Sequence, residues 1–164
     1  MEIQAGLVTY VDLSVGDYFY TSNIDITETH IVNFAGISGD FFDVHMDKEF
    51  AREKGSSDKI AHGLLILSLV DGLKNRSPVQ LNAIASLGWE KWEFKAPVVA
   101  GDSIHCKITI AAKRKTSSQA RGIVQLFFEV FNQDRRLVQQ GTNNLLVGLK
   151  SSQLQSASVA IDRP

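Results

Sequence analysis

The chain holds a single cysteine, Cys106. One thiol cannot close a disulfide within the chain, which fits a reducing compartment. The run Ser103 to Ile108 alternates polar and apolar residues, so Cys106 reads as a strand residue and not as a nucleophile. Excess charge of one sign is also missing. Lys and Arg number 17 against 18 Asp and Glu, a formal net charge of -1. The basic footprint of a nucleic-acid binder is therefore lacking, and so is the charge that favours a membrane surface. No apolar stretch reaches the roughly 18 residues of a membrane helix. The longest, Leu64 to Val70, is broken by Ser68. No charged-then-apolar leader opens the sequence. Together these absences predict a cytoplasmic protein with neither nucleic acid nor membrane as partner.

Chemical fingerprints are sparse too. There is no internal repeat, no low-complexity block, no Cys/His cluster for zinc, no Gly-x-Ser-x-Gly elbow, no phosphate-binding Gly-x4-Gly-Lys and no dinucleotide motif. His30 and His105 have no partner at metal spacing. Lys113-Arg114-Lys115 with Arg121 is the densest basic group. It reads either as a solvated loop or as a contact for coenzyme A phosphates.

What is present suits one compact domain. A chain of 164 residues buries roughly 70% of its unfolded surface, enough for a core without disulfides or metal. Residues 1–150 are expected to form that domain. The Ser- and Gln-rich residues 151–164 are expected to be a frayed tail. Tyr18 to Ile26 alternates like a strand. Thr27-Glu28-Thr29 looks like a capped helix start, with Ile31, Phe34 and Ala35 on one face and a glycine stop at Gly36 or Gly39. Gly39 to His45 reads as a turn. Asp47 to Gly55 reads as a short helix with an Asp cap and a Gly stop. Leu64 to Leu73 is apolar nearly all round and predicts a buried helix.

The second half changes character. Ala83 to Phe94, Ser103 to Ala112, Arg121 to Phe131 and Leu137 to Leu149 are long strand-like runs. Turn signals at Pro97, Gly101-Asp102, Ser117-Ser118 and Asn132-Gln133-Asp134 separate them. Long strands with one isolated apolar helix imply an α+β fold, a sheet wrapped around that helix. Trp89 and Trp92 read as packing or interface residues.

The most informative stretch is Ser38-Gly39-Asp40-Phe41-Phe42-Asp43-Val44-His45-Met46-Asp47. An acid and a histidine stand five residues apart, and Ala61-His62-Gly63 follows at a helix start. A carboxylate and an imidazole can share a water. Free N–H groups at a helix start can stabilise an enolate-like oxyanion. By spacing alone, Asp40 reads equally as an Asx turn. His62 reads as a residue that orients the loop through hydrogen bonds.

Gly39-Asp40-x4-His45-x-Asp47, Phe50-Ala51 and Ile60-Ala61-His62-Gly63-Leu64 closely resemble the hydratase motif of the MaoC-like family, the (R)-specific enoyl-CoA hydratases and acyl dehydratases. Thr27-x-Thr29-x-Ile31-x2-Phe34-Ala35-x2-Ser38 resembles the family's approach to that motif, and Phe94-x2-Pro97-Val98-x2-Gly101-Asp102 resembles its mid-sheet turn. The resemblance spans roughly residues 12 to 150. It implies a hot-dog fold, a long antiparallel sheet around a central helix, joined as a homodimer or a higher homo-oligomer. It also implies reversible hydration of a trans-2-enoyl-CoA to an (R)-3-hydroxyacyl-CoA, with no metal or redox cofactor and coenzyme A only as part of the substrate. Asp40 and His45 match the catalytic dyad. Gly63 matches the glycine whose N–H binds the thioester oxygen.

Three departures stand out. Where relatives often have Asn-Pro between the acid and the histidine, this chain has Phe42 and Asp43. Phe42 either lines the acyl pocket or packs. Asp43 either adds a second acid beside Asp40, or points outward or caps a turn. Nine residues past His62, where some relatives carry Ser, stands Asp71, which implies either a polar or carboxylated acyl group or an altered hydrogen-bond network. Two rivals to hydration are a hot-dog acyl-CoA thioesterase and a non-catalytic acyl-CoA-binding subunit.

Overall fold

A computed structural model describes residues 1–149; the expected tail at 151–164 lies outside the described residues. The elements in order are β1 (Gly6–Val8), β2 (Tyr18–Tyr20), β3 (Ile24–Asp25), α1 (Glu28–Ser38), α2 (Asp43–Met46), α3 (Lys48–Glu53), α4 (Gly63–Asn75), β4 (Val79–Leu81), β5 (Ala83–Phe94), β6 (Ser103–Lys115), β7 (Arg121–Phe131) and β8 (Leu137–Gly148). A short 3-10 turn, Tyr10–Asp12, follows β1. The four long strands of the second half stand where the alternating runs predict them. The sheet order is β2-β6-β7-β8-β5, with β3 also pairing β6, and every pair in it is antiparallel. β1 and β4 form a small parallel pair that no pattern in the residues predicts.

Alternation explains how the sheet covers α4. Ile104, Cys106, Ile108 and Ile110 of β6 and Val124, Leu126, Phe128 and Val130 of β7 are buried at every second position. They meet Leu65, Ile66 and Val70 of α4 in one hydrophobic cluster. This is the hot-dog arrangement, α+β in a single domain. Two expectations need correction. The segment from Tyr18 is not one strand: it breaks between β2 and β3, where the Thr21 hydroxyl, and not its carbonyl, accepts the Cys106 N–H at 2.9 Å. Nor is α4 buried all round. Leu64 is 59% exposed and Ser68 is exposed, because one curved sheet covers only one side of a helix.

The basic cluster also differs from both of its readings at one position. Lys113 lies on β6, where its ammonium donates to the carbonyls of Tyr10 (2.8 Å) and Leu13 (2.5 Å) and sits 4.3 Å from the centre of the Tyr10 ring. It ties the amino-terminal turn to the sheet. Trp89 and Trp92 pack on Phe128, with ring centroids at 5.1 Å and 6.0 Å. Among the described residues no helix is long and apolar enough to cross a membrane.

Candidate active site

The carboxylate is delivered by the end of α1. Thr27 caps the start of this helix: its hydroxyl accepts the His30 N–H, and the His30 ring accepts the Thr27 N–H. The Gly39 N–H closes the last turn on the Ala35 carbonyl, with Gly39 at φ 77°, a left-handed conformation that glycine adopts without penalty. The chain then turns sharply and presents Asp40. One carboxylate oxygen accepts the Phe42 N–H at 3.2 Å, so the Asx turn is real. The other faces His45. The second half of the expected turn is a short helix, α2, which carries His45 as its third residue.

His45 is held by its Nδ1, 2.6 Å from the Ile60 carbonyl. A carbonyl only accepts, so Nδ1 carries a hydrogen, and in the neutral ring Nε2 presents a lone pair. That Nε2 lies 3.9 Å from Oδ2 of Asp40. The gap is too long for a direct hydrogen bond, and both atoms can reach one water between them. The Asp40 side chain is 53% exposed, whereas that of His45 is 13% exposed.

The start of α4 closes the site. The Ala61 N–H donates to the Val98 carbonyl at 2.7 Å and the Ile60 N–H to the Val44 carbonyl at 3.0 Å, which brings the motif's two halves together. His62 precedes the helix, and no side chain caps its free N–H groups. Instead His62 Nε2 donates to the main-chain carbonyl of Asp40 at 2.9 Å, the orienting role read from the sequence. Its ring stacks on that of His45, centroids 3.7 Å apart and planes 24° apart. Gly63 sits under the Phe94 ring, which a Cβ at position 63 would overlap. A cavity of about 330 Å³ opens here, lined by His45, Gly63, Ile66, Phe94, Val98 and Gln139 among others.

Asp40, His45 and His62 also form a group whose potential metal-ligating atoms lie within 4.8 Å of one another. The stacking works against chelation. Imidazole lone pairs lie in the ring plane, and two nearly parallel planes cannot both contain one ion. The arrangement suits a shared water better than a shared cation.

The family model described as MaoC like domain matches residues 13–127. The chain belongs to the MaoC-like domain family. A protein named MaoC from Klebsiella aerogenes is 38% identical over 112 residues, covering 68% of this chain and 32% of that protein. The chain thus corresponds to about a third of that relative's length. An (R)-specific enoyl-CoA hydratase from Aeromonas caviae is 31% identical over 97 residues, 59% of this chain and 71% of the enzyme. Among solved structures, a monoamine oxidase regulatory protein from Archaeoglobus fulgius superposes with a TM-score of 0.80 at 28% identity, covering 91% of this chain and all of that one.

Three residues that the sequence offered for the acyl pocket of this MaoC-like domain do not line the cavity. Phe42 packs its ring against Phe50 (5.9 Å between centroids) and stands edge-on to His45 (6.3 Å). Asp43 is exposed at the start of α2. Asp71 lies two turns along α4 from Gly63, roughly 12 Å at 1.5 Å per residue, and pairs with Lys74 at 2.7 Å. Conversely, Gln139 reaches the site unannounced. Its strand shows little hydrophobic alternation before Leu145. The available signal was Gly141, since a glycine inside a strand often marks a close approach: a Cβ at 141 would overlap Trp92.

Proposed function

We propose that this MaoC-like domain catalyses the reversible hydration of a trans-2-enoyl-CoA to an (R)-3-hydroxyacyl-CoA, with Asp40 and His45 as the proton-transfer pair. The observation that carries the reading is the lone pair of His45 Nε2 facing the Asp40 carboxylate across 3.9 Å, beside a cavity that also contains Gly63. Water held between the two side chains attacks the β-carbon as Nε2 takes its proton. The π electrons move to the thioester oxygen, which the Gly63 N–H stabilises. The proton taken by Nε2 then passes through the Asp40 carboxylate to the α-carbon, which returns both side chains to their starting states. Dehydration runs the same steps in reverse. The chemistry uses no metal or redox group.

The domain is proposed to work as a homodimer. β5 ends the sheet order and exposes Ile84 and Leu87, and a second copy pairing there would cover an apolar edge of the kind that monomers rarely leave open.

The test is a panel of enoyl-CoA thioesters of varied acyl length with wild type, Asp40→Asn and His45→Gln. The expected result is loss of the enoyl absorbance without free thiol, reduced at least about 100-fold in each variant. Release of free thiol would instead establish the thioesterase, and acyl-CoA binding without turnover the non-catalytic subunit.

A further inference from the structure

Gln139 is only 2% exposed and bridges two groups. The Trp92 indole N–H donates to its Oε1 at 2.8 Å, and its Nε2 donates to the Gly63 carbonyl at 3.1 Å. An indole N–H only donates and a carbonyl only accepts. An amide placed between them has one orientation that satisfies both, so the direction of this bridge follows from its chemistry.

Two irregularities in the sheet build it. Along β7 and β8, Val130 faces Gln139 while Phe131 faces Leu137, so Val138 is an extra residue. This bulge turns both Val138 and Gln139 inward, and both are buried. Along β5, Glu90 faces Thr142 and Glu93 faces Gln140, so β5 also carries an extra residue. Lys91 takes up the excess at φ 49°, and Trp92 instead of Lys91 joins Trp89 on the inner face. Gly141 leaves room for the indole. Bulges re-aim side chains next to functional sites; here two of them converge on the start of α4.

Gly63 is where such a tie matters most. Glycine has little torsional preference of its own, and the N–H of a first helical residue has no intrahelical partner. A hydrogen bond to the Gly63 carbonyl restrains the peptide plane that follows, and with it the torsions that aim the Gly63 N–H. We infer that Gln139, backed by Trp92, is a positioning residue that holds the Gly63 backbone so that its N–H points at the thioester oxygen. The role toward substrate rests on the hydration proposed above; the tie to Gly63 does not.

Gln139→Glu tests this with nearly unchanged shape. Ionised, the new side chain sets a carboxylate oxygen against the Gly63 carbonyl; protonated, it can donate as the amide does. Trp92→Phe removes the indole donor and keeps a smaller aromatic ring in its place, a second variant that guards against failure to fold. Two measurements are made on both variants: hydrogen–deuterium exchange over residues 60–67, and kcat and KM for an enoyl-CoA from pH 5.5 to 8.5. Exchange over 60–67 should quicken in both. At the upper pH, Gln139→Glu should lose about 10- to 100-fold in kcat, the scale of a misdirected oxyanion donor, with KM within about threefold. Its kcat relative to wild type should climb as pH falls and the carboxylate gains its proton. Unaltered exchange in both variants overturns the tie whatever the rates, and altered exchange with a flat ratio of kcat overturns the positioning role. A wild type that hydrates no enoyl-CoA while exchange still quickens overturns the hydratase reading and leaves the tie standing.

Discussion

His62 and His45 lie face to face, their ring centroids 3.7 Å apart, and only His45 looks into the cavity. His62 therefore supports the site in two separable ways. Its ring backs the His45 imidazole, and its Nε2 holds the Asp40 main chain. His62→Phe should keep the flat backing and lose the hydrogen bond; His62→Ala loses both. Hydration rates should fall about tenfold in the first and about 100-fold in the second, the sensitivity expected when catalytic groups shift by an ångström. Equal rates in both variants would show that the stack contributes nothing.

Gly63→Ala probes the oxyanion donor. The added methyl overlaps the tip of the Phe94 ring. That ring belongs to a half-exposed side chain on an edge strand, so it can swing aside, and alanine is the better helix former by up to about 1 kcal/mol. The melting temperature should therefore stay close to wild type, while the methyl beside the N–H lowers kcat/KM by about tenfold or more. Unchanged kcat/KM would mean that substrate does not approach Gly63.

Much of this was readable in the residues, for physical reasons that also mark where reading failed. β6 and β7 were legible because each buries one face of a half-covered strand, leaving Ile104-x-Cys106-x-Ile108 and its counterpart as a period-two record. The turn at Gly39 and the cap at Thr27 were legible because backbone geometry there depends on residue type. β1 and β4, three residues each, are too short to carry a period. Gln139 escaped because the bulge at Val138 changes which face points inward, and the inner face of β8 holds Gln139, Gly141 and Asn143 where an apolar pattern would be sought. Asp71 and Asp43 were adjacent to the motif in sequence, yet helix direction carries one along α4 and solvent exposure takes the other outward.

Cys106 should be inert in the folded protein. Burial pushes its thiol well above the usual range because the thiolate would lose its hydration. The folded state thus keeps its proton at pH values where the unfolded chain, near 8.5, gives it up. Stability is unaffected by this group below that point and falls as pH rises above it. Denaturant titrations between pH 8 and 10 should show a steeper decline for wild type than for Cys106→Ala, and thiol reagents should label Cys106 only after unfolding. Rapid labelling at pH 7 without denaturant would contradict the burial.

The proposed dimer makes a prediction at the sheet edge. Leu87 is 52% exposed on β5, and Leu87→Glu places a charge where two copies would meet. Sedimentation velocity should find wild type as a dimer and the variant shifted toward monomer. A monomeric wild type would rule out pairing through this edge.

The three side chains that frame the site, His45, His62 and Gln139, are anchored on the carbonyl oxygens of Ile60, Asp40 and Gly63. Every one of those anchors is main chain. Main-chain oxygens survive substitution, so position 60 can drift among residues that keep its extended path without releasing His45. Mutational tolerance should accordingly be uneven: steep at the side chains that reach out and at Asp40 and Gly63, which have roles of their own, and shallow at position 60, which only receives. A lineage carrying this domain is free to remodel the surroundings of its chemistry while the pieces that perform it stay where they are.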